Sequence, residues 1–176
     1  TITDNGGSLS YSAALGGKTV FTQNGLQMKL TNKVLGEKAK INSVKTIKVS
    51  NTMKPVVPMK NSSIKNNYTE ATLSMKGNYK VAFRVFDNAV AYRYILNEKD
   101  SVYVVDETFN LKPTESMDVH FQGTGGWGSG SESPYTNCML KEWKSDQDMA
   151  TLPVALSSTN GDLQLLISES DLRDYS

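Results

Sequence analysis

Cys138 and His120 are the only cysteine and the only histidine of this sequence, so nucleophilic and metal chemistry have few candidates. A zinc site made of Cys and His needs about three or four such ligands, which excludes one built from this chain alone. An internal disulfide is excluded as well. A Ser-His-Asp triad would have to include His120. His120 lies in the alternating run 117–121, which predicts an ordinary strand residue, and Cys138 is expected to be a small, at least half-buried hydrophobe.

Acidic side chains gather near the carboxyl end, where Glu169, Asp171 and Asp174 follow the apolar run 163–167. A solvated acidic segment has this composition. The same pattern fits a strand that leaves its sheet into a tight turn and presents a carboxylate at the sheet end. Asp171 could also cap a turn or the start of a helix. Position alone leaves these alternatives open.

Composition and charge set the broad class. The 176 residues include 19 Lys and Arg against 18 Asp and Glu, for a net charge of +1, and 38% are hydrophobic. These values fit one globular domain with a substantial core. The balanced charge argues against nucleic-acid binding, and no apolar run approaches the ~20 residues of a membrane span. The amino end lacks a secretory pattern, so we expect a chain that is soluble or already processed.

Apolar residues recur with a period of two, which predicts strands and no sustained helix. Gly16 and Gly17 separate two alternating segments and predict a hairpin. Residues 71–75, 79–85 and 90–94 predict an antiparallel meander with one apolar face, which a second sheet should cover. The fold class is therefore all-β, a large antiparallel β-sandwich of ten or more strands. Further strands are expected in residues 41–49, 102–105, 117–121, 153–156 and 163–167.

Two segments interrupt this alternation. Residues 51–67 contain two prolines and many Asn, Ser and Lys residues, which predicts a long loop. Residues 123–134 are rich in glycine and serine and include Trp127. A linker has this composition, but linkers seldom carry a tryptophan, so we favour a surface loop ordered by a neighbour. The second tryptophan, Trp143, is expected in the core.

Several stretches resemble the amino-terminal β-sandwich domain of glycoside hydrolase family 97, which contains α-glucosidases and α-galactosidases. The more specific ones are residues 79–94, YKVAFRVFDNAVAYRY, and residues 165–175, LLISESDLRDY; weaker ones are residues 9–12, LSYS, and 25–28, GLQM. They span nearly the whole chain in the expected order. The resemblance implies that residues 1–176 form a single super-sandwich domain, similar to galactose mutarotase, at the amino end of a longer enzyme.

The resemblance also implies where the chemistry lies. In this family a (β/α)8 barrel carries the catalytic carboxylates, so no catalytic residue is expected in this chain and the fragment should be inactive. Its partners would be that carboxyl-terminal barrel and an oligosaccharide substrate. A calcium ion belongs to the family's active site, and the matching ligand here is Glu169, with Asp171 the second choice. A periplasmic location in a Gram-negative bacterium follows from the family as well.

Two other functions remain open. A free-standing carbohydrate-binding sandwich would use Trp127 and surface tyrosines as a sugar platform, because an aromatic face packs well on a hexose. Trp127 is flanked by glycines, unlike the family's pattern, so its ring could equally pack on a neighbouring domain. A structural or adhesive sandwich without a ligand is the third possibility. A sandwich that docks a barrel should expose a large apolar patch, whereas a free-standing module should not.

Overall fold

The computed structural model describes residues 1–4, 7–124, 132–144 and 149–170. It divides the chain into two compact units, Thr1–Lys112 and Pro113–Ser176. The first unit contains ten strands: β1 Ile2–Thr3, β2 Leu9–Leu15, β3 Lys18–Leu30, β4 Val34–Leu35, β5 Ile41–Met53, β6 Ile64–Met75, β7 Tyr79–Val85, β8 Val90–Leu96, β9 Val104–Thr108 and β10 Leu111–Pro113, which ends on the first residue of the second unit. The second unit contains β11 Met117–Thr124, β12 Tyr135–Met139, β13 Met149–Ser158 and β14 Gln164–Ile167.

One sheet of the first unit is built around the 13-residue strand β3. Its order is β1-β2-β3-β10, and β4 and β9 also pair with β3. The predicted hairpin joins β2 to β3, and both turn glycines have positive φ, 58° at Gly16 and 82° at Gly17. Glycine adopts such angles without steric cost, so the sequence selects this turn.

The other sheet of the first unit is the predicted meander extended by one strand, in the order β5-β6-β7-β8 with all pairs antiparallel. Leu73, Val81 and Tyr94 lie side by side across β6, β7 and β8. Leu73, Val81 and Phe83 are buried, because alternate residues of each strand point to the same face.

Aromatic contacts show that the first sheet covers this apolar face, as predicted. The ring of Tyr11 on β2 packs edge-on against Phe83 of β7 at 5.2 Å between centroids, and lies 6.1 Å from Tyr92 of β8. Burial raises the pKa of Tyr11 to about 12 and also raises the pKa of Tyr92. The two hydroxyls therefore stay protonated, and the unit is a β-sandwich with a partly aromatic core.

The second unit is one antiparallel sheet in the order β12-β11-β13-β14. Its described buried residues alternate along the two central strands and are Met117, Val119, Phe121, Val154, Leu156 and Ser158. Trp143, which follows a single 3-10 turn at Leu140–Glu142, stacks on Phe121 at 4.3 Å between centroids. Cys138 is half-buried, as expected. Among the described residues, no helix is long and apolar enough to cross a membrane.

The long loop predicted for residues 51–67 is wrong. Strand β5 continues to Met53 and β6 begins at Ile64, so the loop covers only residues 54–63. Paired residues such as Ser50 and Asn67 are polar, and the Ser50 hydroxyl donates to the Asn67 amide oxygen at 3.0 Å. The hydrogen bonds of the backbone hold these two segments together. None of their residues is fully buried, so the sequence lacks the apolar alternation that predicts a strand.

Glu70 and Arg84 form a cross-strand pair on the solvent-facing side of the meander. The Arg84 Nε donates to Glu70 Oε2 at 2.7 Å, and the guanidinium lies 4.7 Å from the centre of the Tyr68 ring. This hydrogen bond holds the pKa of the Glu70 carboxyl below its ordinary value. A folded-state pKa below the unfolded one adds stability above the unfolded value, about 4.3, and this contribution is lost as the pH falls through the folded pKa.

We therefore expect Glu70→Gln to weaken the decline of stability with falling pH below about pH 5. Near neutral pH the Glu70→Gln substitution should lower the free energy of unfolding by less than about 1 kcal/mol, because 43% of the Arg84 side chain is exposed to solvent. Urea unfolding at a series of pH values measures both effects. An unchanged pH dependence in the Glu70→Gln protein would mean that the pair does not form in solution.

Candidate functional site

Glu169 lies just beyond the edge strand of the second unit. Among the described strands, β14 pairs with β13 alone, and its last paired residue is Ile167, which lies opposite Val154. The chain leaves the sheet there, and Ser168 and Glu169 are exposed. Strand β14 thus ends where the sequence predicts, just before an exposed carboxylate.

The strand directions show what else lies at this end of the sheet. Because every pair is antiparallel, the last residues of β11 and β14 share an end with the first residues of β12 and β13. Thr124 of β11 pairs with Met149 of β13, and Gln122 pairs with Tyr135 at the start of β12. The two strand ends that flank the glycine-rich segment thus lie at the end where Glu169 emerges. Trp127 and Asp171 themselves lie outside the described residues.

Glu169 has few contacts within the part of the chain that the structure describes. No hydrogen bond or ion pair joins it to another residue that the structure describes; the recorded contact is from the Ser168 hydroxyl to the Glu169 backbone oxygen at 3.3 Å. Within the described residues, no three Asp, Glu, His or Cys side chains gather closely enough to hold a metal. Glu169 can therefore supply oxygen ligands, but the described residues do not complete a calcium site around it.

His120 is bonded on both sides of its ring. Its Nδ1 lies 2.7 Å from the Asn137 amide oxygen on β12, and its Nε2 lies 3.1 Å from the Ser157 hydroxyl on β13. These two contacts tie three adjacent strands together on the sheet face opposite the apolar side chains. With both ring nitrogens bonded to neighbouring strands, His120 has a structural role in the sheet. This agrees with the expectation of an ordinary strand residue.

Sequence reasoning missed two contacts that join the start of the glycine-rich segment to the residues after it. The Gln122 side-chain amide donates to the Ser133 backbone oxygen at 2.7 Å, and the Ser133 hydroxyl donates to the Gly123 backbone oxygen at 2.5 Å. These two hydrogen bonds link the end of β11 to Ser133, on the other side of the glycine-rich segment. No sequence signal identifies them, since isolated Gln and Ser residues occur in every loop.

Comparison with known proteins identifies the chain. A family model described as glycosyl-hydrolase 97 N-terminal matches residues 1–176. A retaining alpha-galactosidase from Bacteroides thetaiotaomicron is 28% identical over 180 residues, which cover 97% of this chain and 27% of that protein.

Solved structures share the fold. The crystal structure of a beta-arabinopyranosidase superposes with a TM-score of 0.78 at 23% identity, covering 98% of this chain and 30% of that one. A glycoside hydrolase family 97 enzyme from Pseudoalteromonas sp. strain K8, solved with panose, gives a TM-score of 0.76 at 18% identity and covers 92% of this chain and 25% of that one. The chain thus spans less than a third of the length of these relatives.

Proposed function

Since this chain belongs to the glycosyl-hydrolase 97 N-terminal family, we propose that it is the amino-terminal domain of a calcium-dependent α-glycoside hydrolase, an α-glucosidase or α-galactosidase. The domain packs against a catalytic barrel in the same polypeptide and contributes one carboxylate to the active site. Proton transfer and nucleophilic attack on the oligosaccharide are carried out by residues outside this chain. The family match over the full chain supports this division, together with a relative more than three times as long.

The carboxylate of this proposal is that of Glu169, and the observation that carries the proposal is that this carboxylate has no hydrogen bond or ion pair to a described residue. A glutamate already bonded within its own domain would lose those bonds on binding a cation, whereas Glu169 has no such bond to a described residue. Carboxylate oxygens fit the preference of calcium for hard ligands. Bound calcium would supply positive charge that positions and polarises the sugar.

Glu169 alone provides at most two of the about six to eight oxygens that calcium requires. The remaining ligands are therefore assigned to the barrel, and Asp171 is the second candidate within this chain. This shared site makes the domain necessary for activity although it performs no bond-breaking step. It also explains why a sandwich should be fused to the enzyme that it serves.

Activity of the full-length polypeptide tests the proposal. We expect hydrolysis of nitrophenyl α-galactoside or α-glucoside that is abolished by a calcium chelator and restored by calcium. The same assay should include the β-arabinopyranoside, because one structural relative is named for that activity. The 176-residue chain alone should hydrolyse none of the three. Turnover by the pure fragment, or full activity of the whole protein in chelator, would contradict the proposal.

A further inference from the structure

Strands β5 and β6 extend beyond the rest of their sheet. Strand β7 pairs with β6 only as far as Thr69, which lies opposite Val85. The β5–β6 pairing continues for five more residue pairs, from Val49 with Tyr68 to Met53 with Ile64. At about 3.4 Å per residue, this two-stranded segment projects roughly 17 Å past β7. We call residues 49–68, which include the connecting loop, the projecting ribbon.

The tip of the projecting ribbon exposes apolar side chains. Val56 is fully exposed, and Val57, Met59 and Met53 are 69%, 65% and 48% exposed. All four lie within the short sequence MKPVVPMK, residues 53–60, whose two prolines limit how far the loop can fold back on itself. Isolated exposed apolar residues are common on monomers, but a cluster at the end of a projection marks an interaction surface.

The charge of this region is entirely positive. Residues 38–69 contain seven lysines and no aspartate or glutamate, although the whole chain is nearly neutral. Lys54, Lys60 and Lys65 belong to the projecting ribbon and are exposed. No ion pair joins these three to another residue in the described parts of the chain. Pairing with the same ribbon of a second copy would bring like charges together, so the charge favours an acidic partner.

We infer that the projecting ribbon docks into an apolar pocket with an acidic rim on the remainder of the same polypeptide. The inference rests on the proposed function, since it requires further domains, and the chain covers only 25–30% of its structural relatives. A covalently attached partner has an effective concentration near the millimolar range. The few side chains of the ribbon tip can therefore form a stable contact that would be too small between separate molecules.

Limited proteolysis of the full-length protein tests this inference, because trypsin can cut the exposed Lys60–Asn61 bond unless the ribbon is docked. Cleavage there should be slow in the wild type and at least about tenfold faster in the double variant Val56→Asp, Val57→Asp, as loss of about 1.4 kcal/mol of docking energy would give. The matched control is Leu15→Asp at the tip of the β2–β3 hairpin, where the side chain is 54% exposed. It should leave cleavage at Lys60 slow.

Equal rates in the wild type and the double variant would overturn the inference. So would binding to vesicles of phosphatidylcholine and phosphatidylglycerol at about four to one that the double variant loses, because the ribbon would then bind a membrane. A dimer in light scattering that the double variant dissociates would assign the ribbon to a second copy. Proteolysis does not depend on turnover, so a protected ribbon in a protein without glycosidase activity would contradict the proposed function and leave the docking intact.

Discussion

Glu169→Gln in the full-length protein should weaken calcium binding roughly 100-fold, equivalent to about 2.7 kcal/mol, and reduce kcat/KM by a similar factor. Glutamine keeps the length of the side chain and one oxygen, but it removes the negative charge and one ligand atom. Glu169 is exposed and its carboxylate has no hydrogen bond to a described residue, so the fold should be unaffected. Isothermal titration with calcium and steady-state kinetics measure the two effects.

Glu142→Gln is the matched control. Glu142 is also an exposed glutamate of the second unit, on the 3-10 turn at Leu140–Glu142. The same change of charge at this position should leave calcium affinity and turnover at wild-type values. If the two variants behave alike, the carboxylate of Glu169 is not a calcium ligand.

Gly36→Ala should produce the largest loss of stability from a single added methyl group. Gly36 has φ of +84°, and a Cβ built there would lie 2.0 Å from the backbone oxygen of Leu26. Its amide also donates to the Tyr79 hydroxyl at 3.0 Å inside the first unit. The backbone at Gly36 cannot move away from Leu26 without disturbing its hydrogen bond to Tyr79. We therefore expect the free energy of unfolding to fall by about 3 kcal/mol or more.

Gly16→Ala separates the steric effect from the backbone angle. Gly16 also has positive φ, +58°, but nothing lies within 4 Å of a Cβ added there. Only the left-handed backbone is unfavourable for alanine, at about 1 to 2 kcal/mol. Urea unfolding followed by circular dichroism gives both values. Similar losses in the two variants would mean that the backbone around Leu26 and Gly36 is not as closely packed as described.

The strands with one buried face could be predicted from the sequence. In β7, Tyr79, Val81 and Phe83 alternate with Lys80 and Arg84, and a buried face requires this pattern. The two glycines of the β2–β3 turn predict the hairpin because both adopt the positive φ angles that the turn requires. The covering sheet follows from the need to bury that face, and the packing of Tyr11 on Phe83 confirms it.

Other features depend on partners that are distant in the sequence. No residue in the outer halves of β5 and β6 is fully buried, so these segments lack the apolar alternation that predicts a strand. Gln23 is fully buried on β3, and neither atom of its amide has a hydrogen-bond partner among the described residues. Glutamine is usually exposed, so its type predicts the opposite placement.

The candidate site was predictable in position only. The change at residue 168 from apolar to polar residues marks the end of β14 and places Glu169 outside the sheet. Its proposed role as a calcium ligand rests on the resemblance alone, because a single carboxylate has no pattern that specifies a cation. The strand order, which puts the ends of β11 and β14 at the same end of the sheet with β13 between them, required the structure.

A crystal structure of the full-length protein grown with calcium would show whether Glu169 is a calcium ligand. We expect a calcium ion with a Glu169 carboxylate oxygen at about 2.3 to 2.6 Å, and its other protein ligands on the catalytic domain. A calcium ion coordinated entirely by the catalytic domain, with the Glu169 side chain in solvent, would contradict this expectation.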